Sequence, residues 1–315
     1  MKGTAAGSAV FRERVDEGLA AVERAMLDVT DSQIEILRDA SRHILGAGGK
    51  RIRPRLLLLT YMALGGIDLE RVAKPAAAVE LMHTASVVHD DINDHGIMRR
   101  GRPSVNATWG RTFALLTGDY LFTAVYELMA PYGDLNLDLA QAATALVEGE
   151  TLQATAVKEN EFSREVYMRV IALKTAALFR AAGAIGAKLA DASQREIEAL
   201  SDFGFNLGLA FQIVDDILDL IADEESLGKT SGIDMDQGRG VAVALGADNG
   251  NGSVPAADPM AAIKRKMLEG DTIAKARQHA DLLVKEAIDR LAVLDETPAK
   301  QALVELARLV VDRDR

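Results

Sequence analysis

Three aspartates close the apolar stretch that runs from Glu80 through His83, Ala85, Ser86 and His89 to Asp90, Asp91 and Asp94, and a basic loop, Arg99-Arg-Gly-Arg-Pro103, follows them. On a helix, Asp90 and Asp94 share one face with side chains about 5–6 Å apart, and Asp91 lies beside them. Like charges at that spacing cost a few tenths of a kcal/mol and return nothing to the fold. A bound cation accounts for them, because hard carboxylate oxygens together with a phosphate sharing the metal are what Mg²⁺ prefers. A solvated acidic helix end accounts for one such motif equally well. The tie is broken by Phe211-Gln-Ile-Val-Asp215-Asp216-Ile-Leu-Asp219, which repeats the same aspartate spacing at the end of a second apolar stretch about 125 residues downstream. Cations follow this copy too, at Lys229 and Arg239, as Arg99, Arg100 and Arg102 follow the first. Carboxylates for metals and cations for charge balance together point to a polyanion site.

A third cationic run, Lys50-Arg-Ile-Arg-Pro54, stands directly after Gly46-Ala-Gly-Gly49. Pro54 suits a first helical turn, so Lys50, Arg51 and Arg53 are expected at the mouth of a helix, where free backbone N–H groups also favour anions. By itself such a run reads as a solvated basic loop.

These groups need a scaffold, and the composition supplies one. With 315 residues, 49% of them apolar, the chain can bury a large core, and one all-α domain over residues 1–315 is expected. A net charge of −11, with the basic residues gathered at a few points, argues against nucleic acid. The absence of cysteine excludes disulfides, thiolate ligands and a cysteine nucleophile, and agrees with a reducing cytoplasm. No apolar run of spanning length is evident, and charges from Arg12 onward spoil a signal-peptide core, so a soluble cytoplasmic protein without a transmembrane segment is expected.

Along the chain, residues 1–10 read as a loose tail and Phe11 to Leu27 as a charged amphipathic helix. Ser32 and Glu35 form a capping-box pattern for a second helix, and residues near 72 to 94 form the first aspartate helix. Trp109 to Ala130 reads as a core helix, followed by a turn at Pro131–Asp134 and helices from about Leu137 to Val157 and from about Ser163, the latter carrying Lys174 and Thr175. A second capping box, Ser193 with Glu196, opens the long helix that carries Gln212 into the second motif; Gly204 and Gly208 within it imply close helix packing. Residues 223–259, rich in Gly, Asp, Asn and Pro, are expected to be a long mobile loop. Two amphipathic helices finish the chain, from about Ile273 to Leu294 and from Pro298, capped by Thr297, to about Val311. No alternating strand pattern of useful length is present.

In their order, Gly48-Gly-Lys-Arg-Ile-Arg-Pro54, His89-Asp-Asp-Ile-Asn-Asp94 with its Arg-Arg-Gly-Arg-Pro-Ser, Lys174-Thr-Ala, Phe211 to Asp219 and Gly228-Lys-Thr-Ser-Gly-Ile-Asp234 resemble the trans-isoprenyl diphosphate synthases, the polyprenyl synthetase family. The resemblance covers nearly the whole chain. It implies a homodimer of all-α subunits of the isoprenoid synthase type, each a helical bundle around a deep central cavity with the two aspartate helices facing across it. It also implies head-to-tail condensation of isopentenyl diphosphate with an allylic diphosphate. Asp90, Asp94 and Asp215 match aspartates that hold Mg²⁺ on the allylic diphosphate, with Asp91, Asp216 and Asp219 supporting them. Lys50, Arg53, His83 and Arg100 match the isopentenyl diphosphate site, and Arg99, Lys174, Thr175, Gln212 and Lys229 match groups around the allylic substrate. The residue types suit the chemistry: diphosphate leaves only if its growing charge is met by metals and cations, and a dry apolar cavity protects the carbocation left behind. His83, seven residues before Asp90, lies two turns back on the same face and is assigned to phosphate, whereas His89 is assigned a structural place.

One departure from the family pattern is the segment Gly238-Arg-Gly-Val-Ala-Val243, where Arg239 keeps a charge without the usual Lys, Thr and Pro. In resembling enzymes that stop at fifteen carbons, a bulky aromatic often stands four or five residues before the first aspartate. Here Ala85 and Ser86 occupy those places, which implies a product of twenty carbons or more. Three competing readings fare worse. A metal-dependent phosphohydrolase using His83, His89 and Asp90 leaves the second motif unexplained. A ferritin-like di-iron bundle needs two Glu-x-x-His pairs and finds only Glu80 with His83. An inactive regulatory subunit would have eroded motifs, and both are intact.

Overall fold

Two helices, α3 (Ile52–Ala63) and α4 (Leu69–Asn93), are buried along most of their length and form the interior around which the rest is wrapped. Leu56 to Leu59 are each almost fully buried, as are Ala76 to Val79 and Leu81. The computed structural model describes the backbone of residues 2–159, 161, 163–234 and 272–312, and the side chains of all of these except 2–8, 220, 222–234 and 272.

In chain order, α1 (Lys2–Val29) and α2 (Glu35–Leu45) precede the interior pair. A two-stranded hairpin, β1 (Met98–Arg99) with β2 (Arg102–Pro103), follows α4. Next come α5 (Val105–Trp109), α6 (Arg111–Met129), α7 (Leu135–Glu159) and α8 (Arg164–Ile171), then a π turn (Ala172–Ala176) leading into α9 (Ala177–Leu189). The long α10 (Gln194–Asp234), α11 (Thr272–Arg290) and α12 (Pro298–Val311) complete the described chain. Helix α4 packs on α6, α1 and α3, while α10 packs on α9 and α11, and α12 closes over α3.

Several expectations are corrected. Residues 2–10 are helical and not a loose tail, because Ala5, Ala6 and Ala9 favour helix and prolong α1 backwards. Ser32 does not form a capping box: the helix begins at Glu35, so Glu35 cannot occupy the third helical position, and Ser32 Oγ instead accepts from the Ile34 N–H at 3.1 Å. The expected Trp109–Ala130 helix is divided at Gly110, whose φ of 83° ends α5, while Gly118-Asp119 leaves α6 continuous. Residues 223–234 are helical and not loop, since Ala222, Glu224, Glu225 and Leu227 outweigh the cost of Gly228 and Gly232, about 1 kcal/mol each. The rest of the expected loop, residues 235–259, lies outside the described residues.

Other expectations hold. Ser193 N–H donates to Glu196 Oε2 at 2.8 Å in a reciprocal capping box, and Thr297 Oγ1 accepts from the Lys300 N–H. A Cβ on Gly204 would stand 2.3 Å from the Phe179 carbonyl oxygen, so this glycine serves close packing of α10 on α9. The helical run Arg164–Leu189 is, against expectation, long and apolar enough to cross a membrane, but 72% of its apolar window is buried inside the protein.

Candidate active site

Backbone geometry sorts the first cations. Arg51 caps α3 in a left-handed conformation with φ 46°, which turns its side chain towards Glu23 (Nε to Oε1, 2.6 Å) and Glu80 (Nη1 to Oε1, 3.1 Å). Lys50 and Arg53 then border a cavity of about 530 Å³ together with Gly49, Glu80, His83, Arg100, Phe211 and Asp215. Arg100 arrives from the hairpin, where Arg100 and Gly101, at φ 50° and 75°, form a tight turn of the kind that favours left-handed residues. Its guanidinium lies against Gly49, where a Cβ would be 2.6 Å from Nη1.

Crowding cations in a cavity changes their ionisation. Burial pushes Arg53 down to about 10, with Arg100 adding to the fall and Glu80 and Asp215 opposing it. Its guanidinium lies 4.7 Å from the centroid of the Phe179 ring, and among the described residues its Nε has no hydrogen-bond partner. Burial, then Arg53 and Arg100, hold His83 well below the usual imidazole range, so it is a neutral hydrogen-bonding group beside the arginines. Three guanidinium or ammonium groups with few anionic partners make a receptor for a diphosphate.

Two helical turns further along α4 the charge reverses. Asp90 Oδ2 lies 3.5 Å from Lys174 Nζ, and the same ammonium lies 2.6 Å from Glu150 Oε1 on α7. Burial raises the Asp90 carboxyl to about 6 although Lys174 opposes the rise; Glu150 adds to it. Lys174 stands in the π turn, a helical irregularity common at functional sites. That turn is gripped by two glycines: a Cβ on Gly149 of α7 would be 2.8 Å from Lys174 N, and one on Gly208 of α10 would be 2.7 Å from Ala176 Cα.

The second aspartate of each motif turns inwards, towards protein partners. Asp91 is 2% exposed and binds Arg99 (Nη2 to Oδ1, 2.5 Å). Asp216 is 1% exposed; it accepts from the Tyr167 hydroxyl at 2.7 Å and from Gln212 Nε2 at 2.9 Å, while Thr175 Oγ1 donates to Gln212 Oε1 at 2.7 Å. The period of a helix requires this division, since neighbours in sequence point about 100° apart. Asp90, Asp94, Asp215 and Asp219 retain solvent access and supply hard oxygen donors. Among the described residues no three acidic or imidazole groups converge closely enough to hold a cation unaided.

Other residues fall as follows. Ala85 is fully buried and Ser86 nearly so, with its hydroxyl donating to the His83 carbonyl at 2.8 Å. His89 faces away from His83 towards the Leu115 carbonyl (3.3 Å) and Asp119 (3.4 Å), so the constellation of a phosphohydrolase does not form. The Lys229 side chain and all of Arg239 lie outside the described residues. Glu80, Glu150 and Tyr167 were missed in the sequence. Glu80 and Glu150 stand in amphipathic helices where acidic residues are common, and the extra residue of the π turn offsets the register that would relate Tyr167 to Lys174.

A model of the polyprenyl synthetase family matches residues 34–265. The chain is 35% identical to octaprenyl diphosphate synthase of Escherichia coli K12, over 97% of this chain and 98% of that protein. It is 38% identical to a short chain isoprenyl diphosphate synthase of Methanothermobacter thermautotrophicus, over 93% and 95% of the two chains. A crystal structure of a polyprenyl synthase from Caulobacter crescentus, complexed with calcium and isoprenyl diphosphate, matches with a TM-score of 0.78 at 29% identity, over 96% of this chain and 98% of that one.

Proposed function

The chain belongs to the polyprenyl synthetase family and has its all-α isoprenoid synthase fold, and from that premise we propose that it is a prenyltransferase joining isopentenyl diphosphate head-to-tail to an allylic diphosphate. The product is a trans-polyprenyl diphosphate of twenty carbons or more. One observation carries this reading: α4 borders a cation-lined cavity at His83 and, two turns later, a carboxylate pole at Asp90. Two anionic substrates thereby receive two different receptors.

In this reading Lys50, Arg53, Arg100 and neutral His83 bind isopentenyl diphosphate. The allylic diphosphate lies between the two motifs. A divalent cation, Mg²⁺ in this proposal, supplies Lewis-acid stabilisation of the leaving diphosphate when bound, and Asp90, Asp94, Asp215 and Asp219 would hold it. Lys174, Lys229 and Arg239 meet the charge that grows on the departing phosphate oxygens. Asp91 holds Arg99 towards the same phosphates, while Thr175 and Gln212 border the allylic group. Apolar helix faces keep water from the carbocation, and the released diphosphate accepts the final proton. Ala85 and Ser86 are the small side chains beside which the growing chain passes in this proposal.

The assembly proposed is a homodimer of single-domain subunits. Its support is a continuous core reaching from Val15 to Val310 and the exposed Phe113, Leu115, Leu116 and Tyr126 of α6, which a second copy would cover. The decisive experiment incubates the purified protein with isopentenyl and farnesyl diphosphates and identifies products by mass spectrometry. Elongation that stops with EDTA, and falls by orders of magnitude in Asp90→Ala and Asp215→Ala at unchanged helical content, is the expected result. Near-normal turnover in either variant, or turnover in EDTA, refutes the proposed metal site.

A further inference from the structure

The hydrogen bonds Thr175 to Gln212, Gln212 to Asp216 and Tyr167 to Asp216 form one chain, with Thr175 and Asp216 buried and Gln212 and Tyr167 half-buried, linking three segments: the π turn, α10 and α8. Each end of that chain adjoins a group of the proposed site. Thr175 follows Lys174, whose ammonium touches Asp90, and Asp216 follows Asp215. The orientation of Gln212 is fixed by its partners, since the Asp216 carboxylate only accepts, so Nε2 faces Asp216 and Oε1 receives the Thr175 hydroxyl. Tyr167 is the member of the chain that belongs to neither aspartate motif nor to the lysine segment.

We propose that Tyr167 is a positioning residue: by holding Asp216 against Gln212 it fixes Lys174 and the Asp215 carboxylate in the relative places that a metal–diphosphate ligand needs. The physical basis is rigidity. A side-chain chain in a low-dielectric interior has one satisfied arrangement, and removal of the Tyr167 hydroxyl takes from Asp216 a donor on Oδ2 that no water readily replaces. Asp216 can then rotate towards other donors, Gln212 follows it, and Thr175 loses its acceptor. The π turn still has its glycine contacts, so the fold persists while the site loosens. Helices that carry catalytic groups tolerate little such drift, because small misplacements cost large factors in rate.

This inference rests on the proposed function, and its test separates the two. The readout is calorimetric affinity for Mn²⁺ in the presence of inorganic pyrophosphate, with steady-state kinetics alongside. Tyr167→Phe should weaken Mn²⁺ binding by about tenfold and lower kcat by a similar factor, while the KM for isopentenyl diphosphate, bound at the other end of α4, stays within about twofold of wild type. Thr175→Val should weaken Mn²⁺ binding in the same direction, and the double variant should be no worse than the more severe single one, since both cut one chain. A Tyr167→Phe protein with wild-type Mn²⁺ affinity overturns the inference, including one whose melting temperature alone falls. If that variant does not fold by circular dichroism, Thr175→Val decides: unchanged Mn²⁺ affinity there overturns it equally. A wild type that binds Mn²⁺–pyrophosphate yet elongates nothing refutes the proposed function and leaves the binding comparison intact.

Discussion

Arg53 is built into the fold at a cost, and removing it should make the empty protein more stable and less able to bind. Its displacement from the ordinary guanidinium range to about 10 corresponds, at about 1.36 kcal/mol per pH unit, to roughly 3 kcal/mol of destabilisation at neutral pH. The sign follows from linkage: the folded state disfavours the charged form, so the cost is complete below pH 10 and disappears only as pH climbs towards the ordinary guanidinium range. Arg53→Met keeps an apolar stem of similar length and removes both the buried charge and the unpartnered Nε. It forfeits the stacking on Phe179, on the order of 1–2 kcal/mol for a desolvated cation over a ring. The balance is a gain of about 1–2 kcal/mol, or a few degrees in Tm. Differential scanning calorimetry with and without isopentenyl diphosphate measures both sides. Wild type should gain about 2.7 kcal/mol with ligand at a hundred times Kd, and the variant almost none at that concentration. A ligand-free Arg53→Met protein that melts below wild type would show that the stacking and the attraction of Glu80 and Asp215 outweigh desolvation, and the reasoning would fail.

His83, held neutral, should cost stability in acid: below pH 6.5 the unfolded chain takes a proton that the folded chain refuses, so wild type loses up to about 1.4 kcal/mol per pH unit. Chemical denaturation between pH 7 and 5 should show a shallower loss for His83→Gln, and parallel curves for the two proteins would refute the assignment. Ala85→Phe should shorten the main product, because a ring fills the proposed tunnel about one turn from the metal donors. Product lengths by mass spectrometry that match wild type in a folded, active variant would remove the growing chain from Ala85.

What the sequence could tell depended on how locally each feature is encoded. Both aspartate helices, the capping box at Ser193 and the cap at Thr297 are short-range patterns, and they stand where they were expected. Gly110 was harder, since a single left-handed residue divides α5 from α6 without any change in apolar pattern. The inward turn of Asp91 and Asp216 is implied by helical period but could not be oriented until their partners on the hairpin and α8 were known. Glu150 and Tyr167 come from helices remote in sequence from the motifs they touch. Only the packing of α7 and α8 on the π turn brings them to the site.

Helix α4 also acts as a ruler. The seven residues from His83 to Asp90 span about 10.5 Å of helix axis at a rise of about 1.5 Å each, and the fully buried Ala85 and Val88 between them leave no slack for the rod to bend or slide. In the proposed reading, two multiply charged head groups are therefore met at a separation set by peptide geometry and not by side-chain reach. Substitutions between the two marks can alter the wall of the cavity without changing that separation. A single inserted or deleted residue would instead swing every later side chain of the helix by about 100°, carrying the carboxylates off their bearing while Lys50, Arg53 and His83, which precede it, keep theirs.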